Sequence, residues 1–153
     1  MLVGEARYVV YIAATRERIW AALTDGALTR RWAFGRTAIS DWSAGAEIRH
    51  TLPDGTIESG GRILESDPPR LVRFSLAGCR PGADPSPVVV SYDIEPFGGM
   101  CRLTITEDNS GGSSARRDAA LRVWPLFGSA LKTLLETGAV PEIDLAAFAA
   151  DED

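Results

Sequence analysis

From Thr37 to Glu107, short runs of alternating apolar and polar residues are cut at regular intervals by turn formers, and this rhythm restricts the fold more than any other feature of the chain. Strand-like runs cover approximately 37–42, 46–52, 56–65, 70–76, 87–95 and 101–107. Between them stand Ser43-Ala44-Gly45, Pro53-Asp54-Gly55, Asp67-Pro68-Pro69, a long Gly78–Pro87 loop and Pro96-Phe97-Gly98-Gly99. Such spacing predicts an antiparallel meander. Ile48, His50 and Leu52 alternate with Glu47, Arg49 and Thr51, and Val90, Tyr92 and Ile94 with Ser91, Asp93 and Glu95. Leu103 and Ile105 alternate in the same way with Arg102, Thr104 and Thr106. One face of the sheet is therefore apolar and the other wet, so something apolar has to cover the first.

The segment from about Ser114 to Thr137 supplies that cover. Leu121, Trp124, Phe127 or Gly128, Leu131, Leu134 and Leu135 recur at spacings of three and four, while Arg117, Arg122, Lys132 and Glu136 fall mainly elsewhere. Gly138 ends this helix at its C′ position and Pro141 forbids its continuation. Pro125 lies inside it and predicts a kink or an unbonded carbonyl near its first third. Ahead of the meander, Arg7–Ala13 reads as a strand and Thr15 as the cap of a short helix carrying Ile19, Trp20, Ala22 and Leu23. Asp25-Gly26 breaks that helix before a second one carrying Leu28 and Trp32. The prediction is an α+β helix-grip fold: a curved antiparallel sheet of about seven strands wrapped on a long C-terminal helix, with two short helices after strand 1.

Residues 1–138 are expected to form one domain and 139–153 an acidic tail, because the charge divides there. Of the 21 acidic residues five (Glu142, Asp144, Asp151, Glu152 and Asp153) follow residue 138, which leaves 16 acids against all 16 bases in the body. A neutral body without a basic block argues against nucleic acid as a partner. No stretch reaches the roughly 18 apolar residues of a membrane span, and no signal peptide opens the chain, so the cytoplasm is the expected compartment. Two cysteines and a single histidine, His50, make neither a disulfide framework nor a convincing zinc set, and no cofactor motif is present, so neither metal nor cofactor is expected. In the tail, Val140, Ile143, Leu145 and Phe148 are apolar enough to dock on the body or on a second copy.

Three separated stretches, IAATRERIWAALTDGALTRRW, GGRILESDPPRLVRF and WPLFGSALKTLLETG, together resemble the activator of heat-shock ATPase homologue-like branch of the START-like (SRPBCC) superfamily. Each also has a physical reading. Trp20 and Trp32 offer large apolar area to close one end of the concavity, Gly60-Gly61 suggests a bulge, and Asp67-Pro68-Pro69 suggests a rigid extended turn. The resemblance implies an apolar cavity between sheet and long helix, opening beside the short helices and the 78–87 loop.

Inner-face parity nominates Trp32, Phe34, Ile48, His50, Ile63, Phe74, Tyr92, Leu103, Ile105, Glu107, Trp124, Phe127 and Leu131 to line it. His50 and Glu107 are the only ionisable groups that parity turns inward. Two readings of His50 stay open: it orients a ligand's polar end together with Glu107 or Tyr92, or it lies solvated beside the Pro53-Asp54-Gly55 turn. Arg30 and Arg31 are candidates for a charged rim. The expected function is binding of a small apolar or aromatic molecule, without catalysis. Its alternatives are an enzyme of the polyketide cyclase or dehydratase type and a cochaperone stimulating a heat-shock ATPase. A homodimer is a further expectation, from the resemblance and from Val88 and Val89 in a weakly charged strand.

Overall fold

The computed structural model describes residues 5–79, 81–82, 86–109, 114–140 and 142–144. Its elements are β1 (Glu5–Ile12), α1 (Arg16–Thr24), α2 (Gly26–Trp32), β2 (Thr37–Ser40), β3 (Glu47–Thr51), β4 (Ile57–Asp67), β5 (Leu71–Gly78), β6 (Val88–Phe97), β7 (Met100–Asp108) and α3 (Ser114–Thr137). All neighbouring strands pair antiparallel in the order β1-β7-β6-β5-β4-β3-β2, and α3 lies in the concavity. This is the helix-grip arrangement that the alternation and the long amphipathic segment predict.

Local chemistry sets the boundaries. Thr15 caps α1 through a side-chain bond from the Arg18 N–H at 3.2 Å. Asp25 then serves two helices: its N–H donates to the Ala21 carbonyl at the end of α1, and its carboxylate accepts from the Ala27 N–H at the start of α2. Gly138, at φ 81°, takes the left-handed conformation that closes α3, with its N–H on the Leu134 carbonyl. The Asp67–Arg70 segment is tight rather than extended: the Arg70 N–H bonds the Asp67 carbonyl at 2.8 Å and the Pro68–Pro69 peptide is cis.

The expected irregularity in β4 is present, but on both sides of the glycine pair. Along β3–β4 the pairing steps from His50–Ser59 to Thr51–Ile57, leaving Glu58 as the extra residue. Along β4–β5 it steps from Ile63–Phe74 to Glu65–Arg73, leaving Leu64 extra. Gly61 has a separate reason: a Cβ there would collide with the Ser75 backbone carbonyl.

Both edge strands are blunted by helix side chains. Along β1, Arg117 donates to the Glu5 carbonyl, Lys132 to the Tyr11 carbonyl, and Glu136 accepts from the Ala13 N–H just past the strand. On β2, the buried Thr29 of α2 takes the Ala38 N–H at 3.1 Å.

The two halves of α3 differ in what they cover. Its C-terminal half sends Ala130, Leu131, Leu134 and Leu135 into a core with Ile12, Ile19, Leu23, Ile94 and Leu103. Gly128 is buried against the Tyr8 ring of β1, which a Cβ would strike. The N-terminal half lies over the other end of the sheet, where the grip stays open. Past Gly138, Val140 packs against the core; Leu145 and Phe148 lie outside the described residues.

Candidate functional site

Under that N-terminal half is a cavity of about 350 Å³. The sheet contributes His50, Ser59, Leu76, Tyr92 and Glu107, the helix Ala119, Ala120, Val123, Trp124 and Phe127, and the α2 end Trp32 and Ala33. Arg36, Glu58 and Arg116 complete the wall. The volume lies at the low end of the range, roughly 300–1,000 Å³, in which proteins hold small molecules.

Aromatic rings join into a continuous network along it. Phe74 meets Tyr92 edge-on at 5.5 Å, Tyr92 meets Trp124 at 6.1 Å, and Trp124 meets Phe127 at 6.1 Å. Phe127 continues to Trp32 at 6.4 Å, whose indole N–H is already bonded to the Ala22 carbonyl. These edge-to-face contacts hold each ring by its neighbours, so the walls are shaped before anything binds.

The polar groups fall into two clusters. In the first, Arg36 Nε bonds both Glu58 oxygens, at 3.1 and 3.4 Å, and its guanidinium sits over the Phe127 ring at 5.8 Å. His50 belongs to this cluster electrostatically: burial pushes its pKa down to about 4, the Glu58 carboxylate opposes that, and Arg36 adds to it. At neutral pH the imidazole is uncharged. Its Nδ1 is sealed from solvent with no hydrogen-bond partner among the described residues. In the second cluster, Glu107 accepts from Trp124 Nε1 at 3.2 Å and from the buried Asn109 amide at 3.1 Å. Burial, and secondarily Glu107, raises the Tyr92 hydroxyl pKa well above its ordinary value, so this phenol stays protonated.

Six of the nominated residues therefore meet around the cavity: Trp32, His50, Tyr92, Glu107, Trp124 and Phe127. Phe34 stands outside the lining, with its ring 5.3 Å from that of Phe127. Ile48, Ile63, Phe74, Leu103, Ile105 and Leu131 face inward as parity requires, but all are at most 2% exposed and pack in the solid part of the core. For His50, the structure shows a half-buried ring in the cavity wall, 6.2 Å from Phe74, with Nδ1 turned away from solvent. Arg30 and Arg31 form no rim; they bond Thr37 and the Gly138 carbonyl.

Arg36 and Glu58 are the residues that the alternation misses. Glu58 is the bulged residue of β4, and a bulge resets the parity on which the reading depends. Arg36 follows Phe34 and Gly35, both at positive φ, in a turn where no periodicity applies.

Three solved structures show how widely this architecture recurs. CalU16 from Micromonospora echinospora superposes with a TM-score of 0.74 at 17% identity, over 96% of this chain and 82% of the other. DynU16, a putative protein in the dynemicin biosynthetic locus, gives 0.77 at 20% identity; 92% of this chain matches half of that one. The Aha1 dimer from Colwellia psychrerythraea gives 0.71 at 19% identity, over 90% and 98%. At these identities the likeness concerns the fold. No curated protein matches the chain significantly. The family itself is fixed by sequence: residues 13–136 match the model of Activator of Hsp90 ATPase homolog 1-like protein, and the chain belongs to that family.

Proposed function

We propose that this protein binds a small, uncharged, largely aromatic molecule in the cavity between the open end of the sheet and the N-terminal half of α3. The observation that carries the reading is the cavity wall: four mutually packed aromatic rings, Trp32, Tyr92, Trp124 and Phe127, around a space that the core side chains leave unfilled. Apolar walls with a few fixed polar groups are the usual make-up of a small-molecule site. Charge supports the same reading. The lining carries two arginines and two glutamates and a neutral imidazole, so no net charge invites an ion. That one neighbour in fold comes from a biosynthetic locus is consistent with handling of such molecules.

The test is titration with fluorene, a flat hydrocarbon, followed by quenching of Trp32 and Trp124 fluorescence. Saturable binding is expected in the parent chain, and its loss in Val123→Trp, which puts a further indole into the space. An unquenched parent, or equal binding by a Val123→Trp variant that melts as the parent does, would refute the reading.

A further inference from the structure

We propose that the cavity selects, among flat apolar molecules, those carrying an uncharged carbonyl oxygen, and that His50 Nε2–H is the group that reads it. This rests on the binding reading above and adds the chemical class of the ligand. His50 projects from β3 into the wall of the cavity and is its only imidazole. Of its two nitrogens, Nδ1 is the one sealed without a partner among the described residues. A neutral imidazole carries one proton. A sealed N–H with no acceptor is the costlier orphan, since unbonded acceptors are tolerated more readily than unbonded donors. The proton therefore sits on Nε2.

That donor finds no acceptor among the described residues. The nearest carboxylate in charge terms, Glu58, is occupied on both oxygens by Arg36 Nε and makes no hydrogen bond to the ring. Glu107 is held by Trp124 and Asn109. A lone donor in an aromatic wall is satisfied by an acceptor that the ligand brings. A carboxylate would also accept, but the Arg36 charge is already balanced by Glu58, so a neutral ketone, quinone or lactone oxygen fits better than an anion.

Fluorene and 9-fluorenone test this directly, because they share a skeleton and differ by one carbonyl. The affinity ratio of fluorenone to fluorene is expected to fall about tenfold from the parent chain to His50→Phe, the worth of one hydrogen bond of typical strength. His50→Gln, which keeps a donor, should retain most of the preference. In the parent complex the fluorenone carbonyl stretch should move to lower frequency. A ratio unchanged within twofold in a folded His50→Phe, with fluorene still bound, overturns this proposal and leaves the binding reading standing. If His50→Phe does not fold, an unshifted carbonyl stretch in the parent complex overturns it instead. Failure of both ligands to bind the parent removes the binding reading and this one with it.

Discussion

Acid should weaken this protein through one residue. His50 has a pKa of about 4 in the folded chain against 6.5 for an exposed imidazole. Below pH 6.5 the unfolded chain takes up a proton that the folded chain refuses, so stability is complete above that value and drains away as the pH falls toward 4. The two values are 2.5 pH units apart, and at 1.36 kcal/mol for each the full loss is about 3 kcal/mol. At pH 5 about 2 kcal/mol should already be gone. Carboxylates as a class titrate in part of the same window, so the measurement has to be a difference. Urea unfolding of the parent and of His50→Gln at pH 7.5 and pH 5 isolates it, because the variant lacks the imidazole and keeps the carboxylates. The parent should lose about 2 kcal/mol more than the variant over that interval. Parallel losses, within about 0.5 kcal/mol, would show that the imidazole is hydrated in the folded chain, contrary to its place in the wall.

Three further substitutions probe the scaffold. Gly61→Ala forces a methyl into the Ser75 backbone carbonyl, and the β4–β5 pairing must part; a loss of about 3 kcal/mol or more, read by urea midpoint, is expected. Phe74→Ala empties the buried junction between Trp42, His50 and Tyr92 and should cost about 3–5 kcal/mol, lowering Tm by roughly 10 °C. Thr29→Val keeps the volume but orphans the Ala38 N–H, for an expected loss of about 1–3 kcal/mol and faster amide exchange at Ala38.

Most of the architecture is legible in the sequence, because the strands of the meander alternate apolar with polar residues and the turns between them carry Gly, Pro and Asp. The stretch 101–107 becomes β7 with Cys101, Leu103 and Ile105 buried, and the 3-and-4 pattern after Ser114 becomes α3. The site is legible only in part. Alternation tells which face a residue occupies, and Ile63 and His50 are alike in that respect; it does not tell how far along the concavity the helix stops filling it. That depends on where large and small residues fall on α3, with Ala119 and Ala120 over the cavity and Leu131, Leu134 and Leu135 over the solid core. Glu58 escapes because one extra residue inverts the count, and Arg36 because it stands in a turn.

The three α3 side chains along β1 and the single threonine on β2 also bear on how copies of this chain can meet. A strand from another molecule that sought to continue the sheet would find the Glu5 and Tyr11 carbonyls and the Ala38 N–H already engaged. Its gain in new ladder bonds would be offset by the bonds it broke, and at β1 two of those involve charged donors. Self-association is thereby steered away from end-to-end growth of the sheet and toward its outer faces, where Val9, Tyr11, Phe97 and Met100 stand exposed. A contact there closes as a pair only where the same patch meets itself about a two-fold axis.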